Sequence, residues 1–310
     1  MARGERCPGC GAPRMPMAYC PQCQAVYDAP GAPAPAAPDR PDAPPRKPPA
    51  VWKEDLADPR LELKLRAIAP VVALGLAWLA FTSAFGQSFF RTFLSMWLHE
   101  LGHAVTAWLC GFSALPGPWR TSIADERSIT MSLLLFAALA ALAWKAFRAR
   151  RFGVVAGAAV VVVLQIIGTF ALHAEKAKAL ITFGGDGGGL ILGTALLLSF
   201  YSRPGSYVHK TWLRWGFVVI GSFGFMDPML QWWRARADAD TIPYGEMEGV
   251  GTSDPTRLID DFGWSEKQLV GRYVTLGVIC LLVILAAYVT GILAEWRRTV
   301  RAREDEGAGH

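Results

Sequence analysis

From residue 67 onward the polar and apolar positions do not alternate as an amphipathic helix or strand would require; the apolar residues come in long blocks. Seven blocks stand out, at 67–85, 89–111, 130–147, 152–173, 179–201, 212–230 and 270–294. Each is close to the roughly twenty residues that a helix needs to cross hydrocarbon. The pattern predicts an all-α fold, a polytopic helical membrane protein with six or seven membrane segments. Charge gathers between the blocks. Residues 145–151, 203–214 and 297–303 are basic, whereas 232–269 holds eight acidic and four basic residues. Within that acidic loop, Ser253-Asp254-Pro255 predicts a helix start, and Ser265 with Gln268 predicts a capping box opening the last span.

The first 66 residues have no such block, and 1–49 lacks the apolar core of a secretory signal peptide. Residues 28–50 contain nine prolines among 23 positions, which predicts an extended polyproline linker reaching up to about 70 Å. Mixed charge over 51–66 predicts a juxtamembrane surface helix, and 297–310 reads as a polar tail.

Composition sharpens this picture. Only 18% of the 310 residues are charged and 52% are hydrophobic, where a soluble chain carries about a quarter charged. Most of the twelve tryptophans, Trp78, Trp108, Trp144, Trp212 and Trp296 among them, fall near span ends, as an interfacial belt requires. The net charge of +5 reflects loop lysines and arginines, so the lipid bilayer is the expected partner and no nucleic acid is. If all seven blocks cross, the three basic clusters share one side, cytoplasmic by the positive-inside rule, and the N-terminus lies opposite. If one block within 67–111 is re-entrant, both termini are cytoplasmic. The second topology is the expectation, for a multi-pass protein of the plasma (inner) membrane.

Four of the six cysteines lie in the first 23 residues. Cys7 with Cys10 and Cys20 with Cys23 form two Cys-x-x-Cys pairs separated by nine residues, the pattern of a four-cysteine zinc ribbon. Two disulfides or a redox pair are the alternatives. Such a ligand set is complete, so the zinc is structural, and a head this small should unfold without it. Cys110 and Cys280 stand alone in apolar blocks and read as packing residues.

The chemistry is concentrated in His99-Glu100-Leu101-Gly102-His103. On a helix, His99 and His103 share one face and can reach a single ion. Glu100 beside them can take a proton from a water that the metal activates. Ionisable groups in an apolar block are expensive and mark function. A catalytic zinc needs a third ligand, and the best candidate is Asp186 in Phe183-Gly184-Gly185-Asp186-Gly187-Gly188-Gly189, where the glycines predict non-helical backbone at membrane depth. A glycine-rich helix contact is the alternative. Asp227, before Pro228, is a rival ligand, and His173 with Glu175 is a weaker one; Arg214 and Lys176 read as interfacial charges.

His99 through Ala104, followed by Gly111, together with Asp186-Gly187-Gly188, resembles the site-2 protease family of zinc intramembrane metallopeptidases over roughly residues 89–201. The segment before Asp186 departs from that family in lacking its Leu or Asn-Pro lead-in. The resemblance implies a zinc-dependent intramembrane endopeptidase domain over 67–296 that cleaves membrane-spanning protein substrates. It implies one catalytic zinc on His99, His103 and Asp186, with Glu100 as general base, beside the structural zinc of a cytoplasmic ribbon at 1–27. The glycine-rich segment would then offer an edge to an extended substrate. A membrane gluzincin resemblance would call on Glu175 instead. The competing class is a membrane scaffold whose ribbon recruits a soluble partner and whose membrane metal site is not catalytic. A transporter reading lacks two similar halves.

Overall fold

The computed structural model describes residues 7, 10–12, 20, 22–23, 59–203, 205–247 and 251–308. The chain divides into two units, Met1–Lys53 and Glu54–His310. The proline-rich linker at 28–50 and the first part of the juxtamembrane segment, 51–58, lie outside the described residues.

The second unit is mostly helical. Its elements are α1 (Pro59–Ala80), α2 (Ala84–Phe90), a π-helical turn (Arg91–Ser95), α3 (Met96–Leu109), strands β1 (Phe112–Pro116) and β2 (Thr121–Arg127), then α4 (Ile129–Arg148), α5 (Phe152–Ile166) with a second π turn, and α6 (Ala174–Ser199). After a short α7 (Tyr207–Lys210) come α8 (Leu213–Ala235), the two-residue strands β3 (Glu246–Met247) and β4 (Gly251–Thr252), α9 (Asp254–Asp260) and α10 (Glu266–Ala308). Among the described residues, five helical stretches are long and apolar enough to cross a membrane: Arg60–Ala80, Ile129–Arg148, Phe152–Ala171, Ala174–Ser199 and Glu266–Glu304. The two antiparallel hairpins, β1–β2 and β3–β4, are additions to the all-α expectation. The polar tail is no separate element, because α10 continues through it to Ala308.

Helix α6 is the axis of the body. Its apolar window is 61% buried, against 6–22% for the other four, which turn their leucines, valines and phenylalanines outward. The glycines explain its position. They do not break the helix, as the sequence suggested; they sit inside continuous α-helix and let neighbouring backbones touch it. A Cβ on Gly102 of α3 would come 2.8 Å from the Gly188 Cα and 3.0 Å from the Gly185 carbonyl oxygen. One on Gly193 would come 2.7 Å from the Phe225 nitrogen of α8. Without hydrocarbon burial to hold helices together in lipid, small residues gain close van der Waals contact instead.

Block 89–111, which lies within the 67–111 stretch expected to hold a re-entrant segment, is broken into α2, the π turn and α3. Arg91 meets Asp227 and Gln231 near the end of α8, and a Cβ on Gly224 would touch Leu98, one to two turns deeper along α8. Gly102 then packs on Gly184 and Gly188, and Ala107 and Cys110 cluster with Ala177 and Ile181 at the start of α6. Since the end of α8 packs beside the early turns of α6, where Trp232 and Ala235 cluster with Ala179, the α2–α3 rod enters and leaves at the same end of the bundle. The Arg91–Ser95 π turn lies where it changes direction, as π turns and kinks do.

At the opposite end, Glu62 of α1 is 1% exposed and accepts from Arg66 at 2.9 Å, from Arg214 at 3.0 Å and from His209 at 3.2 Å. Arg214 is therefore a buried structural partner and not the interfacial charge its position suggested. Arg66 also donates to the Ser202 carbonyl and pairs with Glu295 of α10. A carboxylate this deep requires such partners. Cys110 and Cys280 are buried among apolar side chains, in agreement with a packing role.

Candidate metal centres

In the N-terminal unit, Cys7, Cys10, Cys20 and Cys23 bring their sulfurs within 4.8 Å of one another. Cys7 Sγ is 3.6 Å from Cys23 Sγ, and Cys10 Sγ is 3.7 Å from Cys20 Sγ. A disulfide requires about 2.05 Å, whereas the edge of a tetrahedron with zinc–sulfur bonds of about 2.3 Å is about 3.8 Å. The geometry fits an ion between four thiolates. Locally the first knuckle is closed by the Gly11 amide, which donates to the Cys7 carbonyl at 2.9 Å with Gly11 at φ +71°, a backbone setting natural to glycine.

In the helical unit, the Nε2 atoms of His99 and His103 are 3.2 Å apart. Asp254 Oδ2 completes a triangle with them, 3.2 Å from His99 Nε2 and 3.0 Å from His103 Nε2. Among the described residues this trio and the four cysteines are the groups able to hold an ion. The outer ring nitrogens fix the tautomers. His103 Nδ1 lies 2.8 Å from the Ile181 carbonyl oxygen, which can only accept, so Nδ1 carries the proton. His99 Nδ1 lies 2.9 Å from Asp186 Oδ1 and donates to that carboxylate. With both rings neutral, the two Nε2 lone pairs and the Asp254 carboxylate form a three-atom donor set that fits a cation. Zinc with ligand bonds of about 2.0–2.1 Å would set tetrahedral edges of about 3.3 Å, close to what is seen.

The third corner expected at Asp186 is thus filled by Asp254, and Asp186 stands one layer out. Its second oxygen accepts from Trp232 Nε1 at 2.8 Å, which leaves it anchored between the His99 ring and α8. Depth along α6 placed Asp186 correctly at the level of the histidines, but its carboxylate reaches the wrong ring nitrogen. A carboxylate behind a ligating imidazole is the usual outer partner of such a site. Of the rivals, Asp227 accepts from Ser95 and pairs with Arg91. Glu175 lies exposed on the first turn of α6, and His173 caps that helix. Neither belongs to the trio.

Asp254 was legible only as a helix start, which it is: α9 opens at Asp254 with Pro255 in its first turn. What aims it is packing. Leu258, one turn on, is fully buried with Trp232, Leu269 and Tyr273, and Trp232 and Tyr273 stack at 4.2 Å behind Asp186. The end of the loop is fixed by the predicted capping box: the Ser265 amide donates to Gln268 Oε1 at 3.1 Å and the Gln268 amide to Ser265 Oγ at 3.3 Å.

Gly185 provides room for the rings. A Cβ there would sit 2.5 Å from His99 Cε1 and 2.6 Å from His103 Nε2, so the imidazoles lie directly on α6 backbone. Glu100 is 5% exposed and accepts from Thr121 Oγ1 of β2 at 2.8 Å. The same hydroxyl contacts the Glu100 carbonyl oxygen, also at 2.8 Å, tying the hairpin to α3. On the helix Glu100 projects about 60° from His103, on the flank of the trio. No protein-family description, curated protein or solved structure matches this chain.

Proposed function

We propose that this chain is a zinc-dependent endopeptidase of the membrane, resembling the site-2 protease family in its His-Glu-x-x-His helix and differing in its third ligand. The observation that carries the reading is the convergence of two imidazole lone pairs and a loop carboxylate on one point, with a buried glutamate on the adjoining flank. His99, His103 and Asp254 would hold the catalytic ion, and Asp186, Ile181 and Trp232 would orient the rings. A zinc ion there supplies Lewis acidity, polarising a peptide carbonyl and lowering the pKa of a water towards neutrality. Glu100 accepts the proton of the attacking water and passes it to the leaving amine. Thr121 holds one Glu100 oxygen, which leaves the other to face that water.

The buried glycine run of α6 offers no edge to a substrate. Strand β2 does: its middle residues are exposed and among the described residues it pairs with β1 alone. An unwound substrate segment can add to that edge next to Glu100. The membrane spans in this reading are α1, α4, α5, α6, α8 and α10, with α2–α3 re-entrant. The ribbon, its ligand set complete, recruits or localises and performs no chemistry.

The test is expression in membranes with single-span substrates, comparing the parent with Glu100→Gln. The variant is expected to keep two zinc ions per chain and to lose cleavage. Full turnover by a zinc-replete Glu100→Gln chain would overturn the mechanism.

A further inference from the structure

We infer that the His99–His103–Asp254 centre opens on the non-cytoplasmic face, so that its substrate is a membrane-anchored polypeptide presented from that side. The substrate rests on the peptidase reading, whereas the sidedness rests on the fold and the distribution of its charges.

The bundle has two ends. At one lie the start of α1, the connection from α6 to α8 and the last turns of α10, locked together by Glu62, Arg66, Arg214 and Glu295. As membrane spans, α4 and α5 carry their turn to this side. Ser128, before α4, bonds Gly111, and Thr169, late in α5, bonds Leu109, so both helices have their other termini beside the end of α3. Twenty residues of α4 carry the turn about 30 Å away. At the other end lie the close of α8, the start of α6, the β1–β2 hairpin and α9. Arg234 of α8 donates there to the Phe81 carbonyl after α1.

Charge distinguishes the ends. Residues 59–66, 145–151, 200–214 and 295–308 hold fourteen lysines and arginines against five acidic residues. Residues 112–128, 172–178 and 232–269 hold eight against eleven. The excess of Lys and Arg in loops marks the cytoplasmic face, which puts α9 and the hairpin outside.

The polar contacts of the centre run to one end of the bundle. Asp254 belongs to the loop that covers it, and Glu100 bonds the hairpin of the same end. Towards the basic end, Leu190, Leu197, Phe200, Val218 and Phe225 form a fully buried apolar plug between α6 and α8. A peptide entering from the cytoplasm would have to displace it. The re-entrant α2–α3 rod delivers both histidines from the outer face without crossing.

The experiment is cysteine labelling of the full chain in oriented membrane vesicles with a membrane-impermeant maleimide, scored above the parent chain. Ala237→Cys, exposed just beyond α8, is expected to label in right-side-out vesicles, and Ala149→Cys, exposed at the α4–α5 turn, only in inverted ones. If Ala237→Cys labels only in inverted vesicles, the sidedness is overturned. A paired assay offers one single-span substrate with its scissile segment in either leaflet. Cleavage confined to the cytoplasmic-leaflet form also overturns the inference. No cleavage of either by a zinc-replete chain, with labelling as expected, refutes the peptidase reading and leaves the sidedness in place.

Discussion

Removing the carboxylates at 254 and 186 separately decides which of them holds the ion. In Asp254→Ala the trio loses its only anionic corner, leaving two imidazole nitrogens 3.2 Å apart. In Asp186→Asn the trio is intact, and what changes is the acceptor behind His99 Nδ1, 2.9 Å away. With its one amide oxygen turned to that nitrogen the tautomer survives, while the charge that strengthens the ligand and the bond from Trp232 are lost. Outer partners of this kind are worth about 10–100-fold in metal affinity, or about 1.4–2.7 kcal/mol. Loss of a direct, charged ligand should exceed the about 100-fold limit of an outer-shell change. Full-length protein in detergent, equilibrated against graded zinc buffers and counted for zinc per chain, reads both effects, with the four-cysteine ribbon as the internal reference. The parent should retain two ions to low free zinc. Asp186→Asn should give up the second at about 10–100-fold higher free zinc, and Asp254→Ala should fall to one throughout. If Asp186→Asn empties the site and Asp254→Ala keeps it, the assignment of the third ligand is refuted, and with it the claim that α9 completes the centre.

Two further outcomes follow from the packing. Gly185→Ala places a methyl 2.5–2.6 Å from both imidazoles, roughly 1 Å inside ordinary contact, and metal sites tolerate only about 0.2 Å; zinc binding in the body should fail while the ribbon stays loaded. Gly189→Ala, whose nearest neighbour would be at 3.4 Å, should bind normally, and equal binding by both variants would refute the role of Gly185. Glu62→Ala leaves Arg214 without its carboxylate and Arg66 with only Glu295 and the Ser202 carbonyl, the two side chains being 10% and 4% exposed, and should destabilise the chain by about 3–5 kcal/mol. Thermal unfolding in detergent checks this, and an unchanged midpoint would contradict the buried network.

The sequence alone determined most of what depends on local pattern. Apolar block length marked the five long helices, because a helix in hydrocarbon needs a run of that length and little else. Cysteine spacing paired Cys7 with Cys10 and Cys20 with Cys23, since each turn supplies two thiolates. The i, i+4 spacing of His99 and His103 placed two nitrogens on one face, and Ser265 with Gln268 was readable as a reciprocal cap. The tertiary structure alone decided what depends on contacts far apart in the chain. Five glycines near Asp186 look the same in sequence whether they break a helix or let another helix lie on it; the approach of Gly102 settled the matter. Whether block 89–111 crosses or turns back depends on what Arg91, Leu98 and Cys110 touch. Asp254 resembles an ordinary helix start, for a single carboxylate in an acidic loop carries no mark of its target. It becomes a partner of His99 and His103 only because Leu258 sinks into the aromatic cluster at the ends of α6, α8 and α10, and burial of that kind has no signature in the order of the residues.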